Sequence, residues 1–385
     1  MNKSNPKTSS DNYDVVVVGA GFSGMYLVKK LRDLGLNFVI LEQGGDVGGT
    51  WYWNRYPGAR CDIPTVEYSY SFDKELEQSW DWQELMAAQP EILTYANQVA
   101  DNYDLRDAMR FNTRVASADF DENENSWTVV TDTGDEYLAR YFIMATGCLS
   151  VPNWPDIEGR EDYAGRTIHT GLWPHEKVDF TGLRVGIIGT GSSAVQSIPE
   201  IAKTAKELKV FQRTPVYTFP AGNHPLDDDF RADIKARYED IRETQRGSLG
   251  GMAMFGVMGR LQEVGTEKIA DCSEEEREQR LVEEGLPSLR RYADVGLDLE
   301  ANEMACDLYR RHIADIIDDP ETAKALMPRG YPMGCKRQVV DIGYYEAFNR
   351  DNVSVIDLRE DPIERINESG VCTAGGQHDV DVLIY

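Results

Sequence analysis

YDVVVVGAGFSG, Tyr13 to Gly24, is the stretch on which the fold of this chain turns. Tyr13 to Val18 is a short β-branched run of the kind that forms a buried strand, and Met25 to Leu34 (MYLVKKLRDL) then repeats its apolar residues at helical spacing. Between them lies a Gly-x-Gly-x-x-Gly turn. Gly19 permits the tight turn, Gly21 lets the backbone approach a pyrophosphate at the helix N-terminus, and Gly24 lets the helix pack close to the strand. Phe22 and Ser23, inside the turn, belong to the same binding set. A second strand, Asn37 to Leu41 (NFVIL), ends in Glu42, where an acidic side chain can bind an adenosine ribose. Strand, turn, helix, strand and acid together predict a dinucleotide-binding unit.

The pattern repeats further along. LRVGIIGTGSSA, Leu183 to Ala194, is again a strand running into Gly189, Thr190, Gly191, Ser192 and Ser193, with Ala194 an accepted replacement for the third glycine. Helical spacing follows from Val195 to Ala205, and then a strand from Leu208 to Phe211. The position that carried Glu42 now falls in QRT, Gln212 to Thr214. Arg213 exchanges a carboxylate that repels a 2′-phosphate for a guanidinium that binds one, so this unit is expected to take NADPH. The first unit, with its acidic ribose ligand, suits the ADP half of FAD. Between the two, Arg110 to Met144 reads as short strands broken by turn clusters and closing on Ala145 to Gly147, a β-meander.

The expected fold is therefore α/β, with two Rossmann-like dinucleotide-binding domains, a β-meander and a helical insertion. The FAD-binding domain is read at residues 1–148 and the NADPH-binding domain at 149–385, with the insertion at 221–328. Within the insertion, Ser273 with Glu276 predicts a capping box, and Asn302 to Ile317 shows helical spacing. The run GSLGGMAMFGVMG, Gly247 to Gly259, reads as adaptable packing or a substrate-facing loop.

Composition narrows the chemistry. At 385 residues and 41% hydrophobic content the chain can bury large cores, and no apolar run approaches the ~18 residues of a membrane span. The N-terminus, MNKSNPKTSSDN, is polar and lacks a secretory core, so a cytoplasmic monomer without membrane contact is expected. The six cysteines form no CxxC pair and no Cys/His metal spacing, which argues against a dithiol mechanism and a metal site. A net charge of -26 argues against nucleic acid, and runs such as Asp227 to Asp229 read as solvated faces.

The order FAD unit, meander, NADPH unit resembles the flavoprotein monooxygenases, and three stretches narrow the resemblance to the Baeyer–Villiger monooxygenases. DYAGRTIHTGLWPHE, Asp162 to Glu176, is similar to the family fingerprint, which Tyr163, Gly165, His169, Trp173 and Pro174 fill, with Tyr163 where Phe is usual. GGTWYWNRYPGARCD, Gly48 to Asp62, resembles the segment that passes the flavin and ends in an active-site Asp. The resemblance implies that Gly49, Thr50, Trp51, Tyr56 and Asp62 contact cofactor. Lys336-Arg337, followed by GYYEAFNRDNV (Gly343 to Val353), is similar to the stretch carrying the catalytic Arg.

These likenesses imply an enzyme that uses NADPH and O2 to convert ketones to esters or lactones. If oxygen accepts the electrons, a peroxyflavin anion forms and must stay deprotonated to attack a carbonyl. Arg337 is the implied stabiliser, because Arg cannot give up its proton, and Asp62 is its implied partner, offsetting buried charge. Lys336 is implied as a second contact to the 2′-phosphate, beside Arg213 and Thr214. His169 and Trp173 are read as fixing the crossing between the two nucleotide domains.

Other readings stay open at this point: an N- or S-oxygenating flavin monooxygenase, or an inactive nucleotide-binding remnant. The last residues, DVDVLIY (Asp379 to Tyr385), form a strand pattern that in the family runs on into a segment completing the FAD domain and substrate pocket. An incomplete FAD domain is accordingly expected.

Overall fold

The valine run of the first motif is a strand, β1 (Asp11–Val18), in the computed structural model, which describes residues 11–248, 251, 265–337 and 339–385. β1 lies near the centre of a six-stranded sheet with β2 (Phe38–Leu41), β3 (Met109–Arg110), β4 (Val115–Asp121), β5 (Ser126–Thr131) and β6 (Glu136–Met144), in the order β3-β2-β1-β6-β5-β4. The meander is β4 to β6. Its last strand pairs parallel with β1, so it extends the nucleotide-binding sheet edge to edge. The helix Phe22–Asp33 covers that sheet with Met25, Val28 and Leu31, the inward residues of its apolar stripe.

The second motif builds a separate parallel sheet from β7 (Arg166–Ile168), β8 (Arg184–Ile188), β9 (Glu207–Gln212), β12 (Val353–Asp357) and β16 (Val382–Ile384), in the order β12-β9-β8-β16-β7. β10 (Thr218–Pro220) and β11 (Val339–Asp341) form a two-stranded parallel pair, and β13 (Ile363–Asn367), β14 (Gly370–Thr373) and β15 (Gly376–Asp379) form an antiparallel sheet. Val382 to Ile384 are wholly internal, hydrogen-bonded to β8 on one side and β7 on the other, as their unbroken apolar character requires.

Helices Asp228–Gly247, Glu274–Glu284, Leu299–Ile316 and Pro320–Leu326 occupy the stretch read as a helical insertion. The capping box is present: Glu276 N donates to Ser273 Oγ at 3.2 Å, and Ser273 N donates to the Glu276 carboxylate at 2.8 Å. Of the glycine- and methionine-rich run, all but Gly247, Ser248 and Gly251 lies outside the described residues, as does the N-terminal stretch 1–10. Among the described residues no helix is long and apolar enough to cross a membrane.

By packing, the chain divides into two units. One comprises the described residues up to Arg55 with Gln89–Pro152, the other those of Tyr56–Ala88 with Asn153–Tyr385. Read in chain order, Tyr56–Ala88 falls in the first domain; by contacts it belongs to the second unit. Backbone pairing explains the transfer, since Leu85 N donates to His224 O at 3.0 Å and Leu226 N to Gln83 O at 2.8 Å.

A buried ion pair reinforces that attachment. Arg242 Nε donates to Glu77 Oε1 at 2.7 Å, with side chains only 7% and 8% exposed, and the guanidinium also reaches Ser69 and Gln245. Replacing Glu77 with Ala strands a desolvated guanidinium and is expected to cost about 3–5 kcal/mol, read as a lowered urea midpoint. The double variant E77L/R242M, which removes both charges, is expected to recover most of that loss. A single-variant loss no larger than that of a surface pair would show that water reaches the guanidinium.

Candidate active site

The first glycine turn is shaped by close backbone approach. At Gly19, φ is +106°, and a Cβ there would sit 2.5 Å from Ala145 O; at Gly24 it would sit 1.9 Å from Gly19 O. No larger residue fits either position. Gly21 caps the helix without any side-chain bond, which leaves the first-turn amides around Phe22 and Ser23 to a ligand anion. Glu42 follows β2 and is buried, its carboxylate accepting from Ala20 N and Gly44 N, both at 2.6 Å. A carboxylate has about four acceptor positions, so two remain for ribose hydroxyls.

The second turn repeats this geometry. Gly191 caps the helix Ser192–Ala202, again without a side-chain bond, and among the described residues a Cβ at Gly191 would meet no atom within 4 Å. That open cradle, in front of the amides of Ser192 and Ser193, fits a pyrophosphate. Thr190 is buried and donates its hydroxyl to Thr214 O at 3.0 Å, bracing the turn against the strand end that carries Arg213. Arg213 is exposed and Thr214 partly buried. Lys336 Nζ lies 4.4 Å from the centre of the Tyr331 ring, and Tyr331 donates to Pro215 O at 2.6 Å. A hydrogen bond between residues 116 positions apart thus brings Lys336 to the loop that holds Arg213 and Thr214.

The segment Gly48–Asp62 divides between the two units. Gly49 (φ +53°) brings its backbone against Gly21 and starts the short helix Thr50–Trp53, in which Thr50 is exposed and Trp51 buried. In the second unit, Arg337 donates from Nη2 to Asp62 Oδ2, joining residues 275 positions apart. Arg337 is 68% exposed and Asp62 24%, so the pair is not the buried one that the sequence suggests. At that exposure water screens the attraction, and the contact serves to orient the guanidinium rather than to stabilise the fold. Next to Asp62, burial pushes the Cys61 thiol up to about 12, so it stays protonated. All six cysteines are free thiols.

The fingerprint has a steric logic. A Cβ at Gly165 would lie 2.3 Å from the Tyr163 hydroxyl, which donates to Val380 O at 2.9 Å, so only glycine lets the aromatic ring fold over it. Trp173 is 4% exposed and anchors the segment in the core beside Phe180. His169 stacks edge-on against Trp154 at 4.9 Å and accepts from Gly171 N through Nδ1 at 3.0 Å, which requires its proton on Nε2.

Burial lowers the pKa of His169, and it does the same at His312 and His378. All three are therefore held neutral in the folded protein more firmly than in the unfolded chain. Their contribution to stability is complete above the ordinary histidine pKa of about 6.5 and is lost as pH falls through the lower folded values. The urea midpoint is expected to drop between about pH 7.5 and 5.5, above the carboxylate range. A midpoint that rose on acidification would contradict the assignment.

Sequence reasoning missed the side chains that hold the Lys336-Arg337 segment. Asn302 is buried, donating to Met333 O and accepting from Met333 N, both at 2.9 Å. Asp341, at the end of β11, accepts from Thr218 Oγ1 at 2.9 Å and from Gly343 N and Tyr344 N at 2.8 and 2.9 Å. The available signal was Asn302 itself, a polar residue in line with Ala305, Cys306 and Tyr309 on the buried face of a helix.

Two glycine turns without side-chain caps, each following a parallel strand of its own sheet, one unit ending in an acid and the other in a basic pair, define a two-dinucleotide flavoprotein oxidoreductase. A family model described as pyridine nucleotide-disulphide oxidoreductase matches residues 16–253 and describes that scaffold. Over 99% of its length the chain is 41% identical to a Baeyer–Villiger monooxygenase of Pseudooceanicola batsensis, covering 69% of that relative. It superposes with a TM-score of 0.88 on an oxidized steroid monooxygenase bound to NADP, at 47% identity over 97% of this chain and 71% of the other. With OTEMO in complex with FAD and NADP the TM-score is 0.89, at 39% identity over 98% of this chain and 71% of that one. The chain belongs to the Baeyer–Villiger monooxygenase family. It is a flavin-dependent monooxygenase with FAD and NADPH as cofactors.

Proposed function

We propose that this chain converts small ketones to esters or lactones with NADPH and O2, and that Arg337 and Asp62 form the reacting-site pair. The observation that carries the reading is that pair, assembled from positions 275 apart. Bound FAD, reduced by NADPH, supplies the electron transfer and the oxygen chemistry. The chain's residues do the rest. Arg337 contributes a positive charge that cannot be lost as a proton, directed at negative charge developing on oxygen, and Asp62 sets its direction. The first turn, Gly19 to Gly24, holds the FAD pyrophosphate, with Glu42 on the ribose. The second, Gly189 to Ser193, holds that of NADPH, with Arg213, Thr214 and Lys336 on its 2′-phosphate.

His169 and Trp173 act as an anchor in the linker and not as acid or base. In chain order the two turns support a division at residues 1–148 and 149–385, although Tyr56–Ala88 packs with the second unit. A cytoplasmic location is supported by the free thiols and by the NADPH supply of that compartment, and the charge of -26 disfavours nucleic acid.

The test is a visible spectrum of the purified chain before and after anaerobic NADPH, followed by aerobic incubation with a small cyclic ketone, a sulfide and a tertiary amine. Bleaching of bound flavin and a lactone product are expected. Oxides of the sulfide or amine with no lactone would assign the chain to N- or S-oxygenation, and a protein that cannot be loaded with FAD would end the enzymatic reading.

A further inference from the structure

We infer that Gln196 is a positioning residue that ties the NADPH-binding helix to the loop carrying Asp62. Gln196 lies one turn into the helix Ser192–Ala202, behind the uncapped amides of the second glycine turn. Its Oε1 accepts from the Tyr56 hydroxyl at 3.0 Å and from Arg60 N at 3.4 Å, and its Nε2 donates to Arg60 O at 3.2 Å. One side chain thus holds both backbone polar groups of residue 60, as a neighbouring strand would. Between these contacts the loop rests on the helix backbone. Gly58 has φ +79°, and a Cβ there would lie 2.2 Å from Gln196 O.

The far side of the loop is fixed as well. Arg60 Nη1 donates to Glu84 Oε2 at 2.8 Å, and Asn223 donates to the same oxygen at 2.6 Å. Two residues past Arg60 stands Asp62, which pairs with Arg337. The path from helix to guanidinium therefore runs through Gln196, the peptide of Arg60 and the Asp62 carboxylate. An anion that orders the helix N-terminus orders the loop, and with it the carboxylate that aims Arg337.

The inference rests on the functional reading above. Its test is amide hydrogen exchange across Tyr56–Asp62, with and without NADP+, in the FAD-loaded protein. NADP+ is expected to slow exchange there about tenfold in the natural chain. In Q196M, which keeps length and loses all three bonds, that slowing is expected to vanish while the NADP+ Kd changes less than about threefold. Q196E keeps the acceptor for Tyr56 and loses the donor to Arg60 O, and should show an intermediate effect. Unchanged protection in Q196M overturns the inference and leaves the functional reading standing. If Q196M does not fold, Q196E decides alone: protection equal to that of the natural chain overturns the inference. A natural chain that binds FAD but no NADP+ overturns both.

Discussion

Replacing Arg337 with Ala is expected to lower product formation about 10²- to 10³-fold, the usual cost of losing one donor to developing negative charge, while flavin reduction by NADPH proceeds near its natural rate. The two half-reactions separate because Arg337 has nothing to contribute to hydride transfer, which needs both dinucleotides seated and no anion stabilised on oxygen. R337K is expected to fare little better. Lysine keeps the charge but loses the planar fork through which Asp62 sets the direction of the guanidinium. Asp62→Ala should be milder than R337A, since the charge remains and only its orientation is lost. Stopped-flow reduction under anaerobic conditions, paired with product quantification in air, reads both quantities. Natural product yield in R337A would remove Arg337 from the reaction, whatever the fate of Asp62.

Replacing Arg213 with Ala is expected to raise KM for NADPH about 10- to 100-fold, which is ~1.5–3 kcal/mol for a charge-assisted bond to phosphate, and to leave kcat nearly unchanged. The 2′-phosphate is remote from the hydride, so binding energy lost there is lost equally in ground and transition states. KM for NADH, which has no such phosphate, should barely move. Because Arg213 is exposed, the NADPH effect should shrink as salt rises. Lys336→Ala should act in the same sense but less, because Lys336 is a point charge lying over the Tyr331 ring and not a planar fork. Steady-state kinetics with both coenzymes at two salt concentrations are sufficient. A fall in kcat with KM unchanged would place Arg213 outside the phosphate site.

Much of this was written locally in the chain. A glycine turn between a β-branched strand and a helix-period stretch has one economical conformation, because Gly19 and Gly24 face backbone atoms where a Cβ has no room. The acid or base at the end of the following strand lies a fixed distance along the same local unit, so Glu42 and Arg213 could be found by counting. The Ser273–Glu276 capping box is equally local. The reason for Gly165 is visible two residues away, in the ring of Tyr163.

Tertiary structure alone decided the rest, for reasons of distance and exposure. Whether a carboxylate at 62 meets a guanidinium at 337 depends on how the intervening chain returns, and that the meeting is solvent-screened depends on what fails to cover it. The attachment of Tyr56–Ala88 to the second unit rests on backbone pairs with residues near 224 and on one buried ion pair, neither of which leaves a periodic trace. Gln196 and Asn302 are single polar side chains that bond the backbone of distant loops. Local propensity and hydrophobic period determined which elements form and where each dinucleotide turn lies, because both are set within a few residues. The bonds that Gln196, Arg60, Asp62 and Arg337 make were decided only by the packed fold, because a hydrogen bond to a remote peptide has no spacing in the sequence from which to be read.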